Sequence, residues 1–164
     1  MSLEIKVKYA EGNDNKIEKL VQGDWIDLRA SEDVFIPEKE MRLVSLGVSM
    51  ELPEGYEAIV VARSSMFKNT GCILTNAQAV IDNTYCGNED IWFAPLYCLE
   101  ARENLAIETD TPKTTVVVKG SYIRKGDRIV QFRIQKSMDK DLIITEVDSL
   151  DNENRGGHGS TGLN

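Results

Sequence analysis

A chain of 164 residues, 41% hydrophobic and 28% charged, is long enough for one domain with a sizeable core and too short for two ordinary ones. Its net charge of −8 excludes the basic face that a nucleic-acid backbone requires, while leaving room for a small anion held by local arginines. No apolar run approaches the roughly 20 residues of a membrane span, and one histidine, His158, leaves triads and multi-histidine metal sites without their parts.

The N-terminus has no basic region ahead of an apolar stretch, so a signal peptide is not expected and a cytoplasmic location is. Ile5, Val7 and Tyr9 alternate with Glu4, Lys6 and Lys8, which predicts a strand, and Lys16–Val21 has room for one helical turn. Strands are predicted again over 41–46 and 57–61, separated by the turn Pro53-Glu54-Gly55, with a short helical turn over Ser64–Lys68. Cys72, Cys86 and Cys98 form no CxxC pair and are expected to be buried in a reducing compartment.

The run Ala79-Val80-Ile81 ends on Asp82 and continues through Asn83, Thr84, Tyr85, Cys86 and Gly87, more turn chemistry than a hairpin bend needs. Residues 100–122 read as a hairpin with Thr111-Pro112-Lys113 at its tip, and strands follow over 129–134 and 142–144. Many short strands with regular turns predict an all-β barrel or sandwich over residues 1–150. Residues 151–164 change character. Arg155 brings a bidentate donor, Ser160 and Thr161 bring hydroxyls, and glycines such as Gly159 leave backbone N–H groups approachable. That combination suits a mobile arm that closes on phosphate oxygens.

Five stretches occurring in order resemble the motifs of the trimeric dUTPase family: DWIDLRA (24–30), ARSSM (62–66), AVIDNTYCG (79–87), KGDRIVQF (125–132) and RGGHGSTG (155–162). Histidine in the fifth motif resembles the Firmicute and phage branch. The resemblance implies a jelly-roll-type β-barrel, a homotrimer with shared active sites, and hydrolysis of dUTP to dUMP and pyrophosphate with Mg2+. Such an activity limits uracil in DNA and supplies dUMP for thymidylate synthesis. Asp82 matches the carboxylate that activates water for attack on the α-phosphorus, a role for which a proton acceptor near 3 Å is suited. Tyr85 matches the residue beneath the deoxyribose, which excludes a 2′-hydroxyl. Asn76, Ala79, Val80 and Ile81 are implied around uracil, whose pairing with the backbone separates it from cytosine. Arg63, Ser64, Ser65 and Gln131 are implied on the phosphates, with Arg155, Gly159, Ser160 and Thr161 clamping them as the arm closes. Asp27 is implied near the metal through water, an arrangement magnesium favours.

The fifth motif carries His158 where the family has a phenylalanine that stacks on uracil, which makes Phe93 or Trp92 an expected replacement; alternation lets at most one of them face inward. The alternative activity, dCTP deamination as in a related family, lacks its glutamate ten positions after the aspartate, where Trp92 stands. A second alternative, a dUTPase-like trimer acting as a regulator, would use 101–121 as a contact for a protein partner. Neither nucleic acid nor a membrane is an expected partner.

Overall fold

A computed structural model describes residues 2–18 and 22–155. Twelve strands and one short helix make up its regular structure, as the recurring alternation predicts. Strands β1 (Lys6–Tyr9) and β5 (Val48–Glu51) pair with each other. Strands β4 (Met41–Ser45), β9 (Phe93–Cys98) and β7 (Cys72–Leu74) form a second sheet in that order, and β10 (Glu103–Asp110), β11 (Lys113–Ile123) and β3 (Val34–Pro37) a third. The fourth sheet, in the order β2 (Ile26–Arg29), β12 (Arg128–Lys136), β6 (Tyr56–Ala62) and β8 (Gln78–Ile81), carries most of the motif residues.

One core joins all four sheets. Val48 and Met50, Val44 and Leu96, Ile36 and Ile123, and Val60, Val130 and Phe132 all belong to it. Trp92 and Phe132 meet edge to face at 5.5 Å, the geometry in which the positive edge of one ring meets the negative face of the other. The two rings are 1% exposed, and burying each contributes roughly 2–3 kcal/mol.

The predicted turn over 64–68 is present as α1 (Met66–Thr70), two residues later than expected. It ends where Gly71 takes φ 65° and a Cβ would lie 1.8 Å from the Glu100 carbonyl oxygen, so only glycine fits both the left-handed cap and the close approach. The described part of Lys16–Val21, residues 16–18, has no helix. The expected hairpin over 100–122 is present as β10 and β11, with Asp110 opposite Lys113.

Two expectations are corrected. Leu142-Ile143-Ile144 is not a strand: it finds no partner strand among the described residues, and the three residues are 57%, 84% and 91% exposed. Alternation gives a segment its strand preference, but a strand needs an edge to pair with. Cys72 and Cys98 are buried as expected, whereas Cys86 is exposed on the loop after Asp82. No helix among the described residues is long and apolar enough to cross a membrane.

Candidate functional site

The central strands β12 and β6 gather one set of motif residues. Register places Gln131 opposite both Asp27 and Val61, so Asp27 and Gln131 lie side by side on one face of the sheet. Beyond the end of β6, Arg63 turns back to this row, and its Nε lies 2.8 Å from Asp27 Oδ1. Arg128 Nη1 lies 3.4 Å from the other oxygen, Oδ2. With only 16% of its side chain exposed, Asp27 fixes the position of two cations at once. Arg29 donates to the Gly126 carbonyl at 2.7 Å, and with Lys16 and Arg128 it lines a small cavity over Asp27. On an acidic protein, this is a local concentration of positive charge.

Ser64 is exposed beside the cluster, and Ser65 stands at the N-terminal boundary of α1 without a side-chain capping bond. Asp127 belongs to the turn before β12: its carboxylate accepts from the Arg124 N–H at 2.8 Å and its carbonyl from the Ala30 N–H at 2.9 Å. Asp127 therefore shapes the loop.

The second set sits on β8 and the loop after it. Ala79 and Ile81 pack against the core, while Val80 is 56% exposed. Among the described residues β8 is an edge strand: it pairs only with β6, so its other edge offers backbone N–H and C=O groups unpaired among those residues. Those groups are what recognition of a base edge by backbone requires. Asn76 precedes the strand and is exposed.

Asp82 follows β8 at its exposed end. Its Oδ1 accepts from the Thr84 backbone N–H at 2.8 Å and from the Thr84 hydroxyl. These bonds, the hydroxyl first, hold the Asp82 carboxyl below the ordinary carboxylate range. The loop is braced further on, where the Tyr85 hydroxyl donates to the Ile91 carbonyl at 3.2 Å and the Gly87 N–H to Asp90 Oδ2 at 2.6 Å. β8 and β9 belong to different sheets, so this loop is a crossing between sheets and not a hairpin bend.

Within one chain the two sets do not meet. Ile81 lies opposite Ala58 near the start of β6, whereas Arg63 follows Ala62 at its end. At about 3.3 Å per residue, Asp82 and Arg63 are separated by roughly 20 Å along the sheet. The cleft beside Asp82 is lined by Glu54, Glu57, Asp139 and Lys140, an acidic set that does not suit a triphosphate.

Trp92 is a core residue and cannot cover a base, while Phe93, 43% exposed, starts β9 on the outward face of its sheet. Arg155 is exposed. His158, Gly159, Ser160 and Thr161 lie outside the described residues. Sequence reasoning assigned no role to Thr84 or Arg128. The Asp-Asn-Thr order is a signature of a side chain bonding its own turn, and it was the available signal for Thr84.

Comparison with known proteins supplies the family and the fold. The dUTPase family model matches residues 25–96. The SPbeta prophage-derived deoxyuridine 5'-triphosphate nucleotidohydrolase of Bacillus subtilis is 52% identical over 161 residues, covering 98% of this chain and 99% of that one. The deoxyuridine 5'-triphosphate nucleotidohydrolase of Corynebacterium efficiens is 34% identical over 139 residues, or 84% of this chain and 65% of that one. Among solved structures, a dUTPase of Staphylococcus bacteriophage 80alpha with dUpNHpp superposes with a TM-score of 0.74 at 22% identity, covering 98% of this chain and 99% of the other. The dUTPase of Streptococcus mutans gives 0.64 at 22% identity, over 84% and 98%. With five motifs in order and a full-length relative at this identity, the chain belongs to the dUTPase family.

Proposed function

We propose that this protein hydrolyses dUTP to dUMP and pyrophosphate. The observation that carries the reading is Asp82: an exposed carboxylate, one oxygen fixed and the other open, at the end of a strand with a free backbone edge. Held ionised by Thr84, it orients a water and takes its proton as the oxygen attacks the α-phosphorus. Ala79, Val80 and Ile81 offer backbone partners to uracil, Asn76 stands at the entry to that strand, and the Tyr85 ring packs under the deoxyribose. Phe93 and His158 are the proposed aromatic contacts to the base.

Arg63, Ser64, Ser65 and Gln131 bind the phosphates from the other end of the sheet, where Asp27 keeps Arg63 in place. Donors fixed in advance at the leaving pyrophosphate stabilise the charge that develops there. Arg155, Gly159, Ser160 and Thr161 complete the phosphate contacts from the C-terminal arm, residues 151–164.

Among the described residues no three His, Cys, Asp or Glu side chains group to hold a metal. That fits a magnesium ion that keeps its waters and binds through phosphate oxygens, with Asp27 and Gln131 as the side chains nearest its hydration shell. A neighbouring phage phi11 dUTPase of similar fold, TM-score 0.69, carries a structural Mg(II) ion. A magnesium ion held at the substrate phosphates, unlike that structural ion, would supply charge neutralisation there, with Asp27 and Gln131 orienting its waters.

A homotrimer with shared sites belongs to the same reading, because the base and phosphate sets of one chain lie roughly 20 Å apart. The segment 138–150 supports it. Met138, Leu142, Ile143, Ile144, Val147 and Leu150 are all more than half exposed, too much apolar surface for a segment facing water alone. An apolar groove of about 780 Å³, lined by Leu3, Ile5, Val7, Ile17, Ile26 and Ile134, suits the same segment of a neighbouring copy. The groove lies beside β1 and β2, each of which pairs on one side only. A cytoplasmic location belongs to the same reading, since an odd number of cysteines without a CxxC pair suits a reducing compartment.

The hairpin of β10 and β11 favours a second, compatible reading as a contact for a regulatory protein partner. Beyond its base at β3 it is exposed on both faces, with Ile107, Val116 and Val117 between 43% and 61% exposed.

The direct test is pyrophosphate release from dUTP, dCTP, dTTP and UTP, each with magnesium. Release from dUTP alone is expected; equal release from dCTP or UTP would remove the pocket described here.

A further inference from the structure

We propose that Thr84 is a positioning residue that selects which oxygen of Asp82 takes the proton from water. The inference rests on Asp82 being the base, as argued above. An exposed aspartate on a loop rotates freely about its terminal bond and presents either oxygen. Here both donors of one residue, the Thr84 N–H and the Thr84 hydroxyl, converge on Oδ1. Oδ2 accepts no hydrogen bond among the described residues, which leaves it for the water.

The loop around this pair is held against collapse. The Asp82 carbonyl accepts from the Tyr85 N–H at 3.3 Å, the Tyr85 hydroxyl reaches the Ile91 carbonyl, and Gly87 sits so close to Asp90 that a Cβ would lie 2.8 Å from its Oδ2. The charged groups facing Asp82 come from three elements: Glu54 before β6, Glu57 on β6, and Asp139 with Lys140 after β12. Desolvation pushes the carboxyl the other way, and the Thr84 donors outweigh it. Orientation is gained at the expense of basicity. A base held in line loses little to misalignment, whereas a freely rotating one loses the geometry that proton transfer requires.

Thr84→Val keeps the shape and the backbone N–H and removes the hydroxyl. In the full-length trimer it should lower kcat about ten- to a hundredfold with KM little changed. The acid limb of the kcat profile should move to higher pH, and Thr84→Ser should restore both. The 13C titration of the Asp82 carboxyl in the free enzyme should show the same upward displacement in Thr84→Val. Thr84 is exposed, so both variants should melt as wild type does. A titration identical to wild type in Thr84→Val, or an unchanged kcat, overturns the proposal. Should wild type itself fail to cleave dUTP, the functional reading falls, while the carboxyl titration still decides whether Thr84 governs Asp82.

Discussion

Asp82 and Asp27 are both carboxylates in motif stretches, and their surroundings give them opposite work. Asp27 has each oxygen on an arginine and little exposure, so it serves as a brace. Asp82 is open to solvent, with one oxygen engaged by its own loop. Because its folded pKa is depressed, the carboxylate stays ionised to lower pH than a free aspartate and loses its charge as pH falls through that lowered value. The acid limb of hydrolysis should therefore lie below the pH at which a free aspartate titrates. A rate profile with an acid limb at or above the ordinary carboxylate range would contradict this assignment. The sequence made Asp82 legible through its position after an apolar run, and the arginines through their motifs. That Arg128 shares Asp27 with Arg63 was not legible, because the contact spans 101 positions and depends on the register of three strands.

At the scale of elements, an edge strand and a hairpin stand out. β8 is short and paired on one side, so its position at the end of the sheet makes backbone recognition of a base possible; a central strand would have both edges occupied. The hairpin was legible from its turn residues, and its register confirms a two-residue connection between Asp110 and Lys113. Its distal part pairs only with itself among the described residues, so shortening the hairpin within 101–121 while keeping Gly120 and Ser121, which pair with β3, should leave folding and dUTP cleavage unchanged. If the hairpin is a handle, capture of a protein partner by the trimer should be lost with it; undiminished capture would remove the hairpin from consideration. The 142–144 segment shows the complementary failure of sequence reasoning. Period-2 alternation reports a preference for strand but not the identity of the chain that supplies the edge.

On the proposed reading, one copy of the molecule is incomplete. The Asp82 and Arg63 sets lie at different ends of one sheet, and the apolar segment 138–150 lies uncovered among the described residues. The proposed assembly of three copies would account for both. Ile143→Asp with Ile144→Asp places two charges where a neighbour's apolar groove would receive the segment. That variant should sediment near 18.4 kDa and cleave no dUTP, whereas wild type should sediment at three times that mass. A double variant that stays trimeric would relocate the interface. Asp82 as the water-activating carboxylate is tested by pyrophosphate release from dUTP with magnesium in Asp82→Asn, which keeps the shape of the side chain and removes its basicity. An intact trimer whose rate falls by about 100- to 10,000-fold is expected. An Asp82→Asn trimer that cleaves dUTP at the wild-type rate would contradict it.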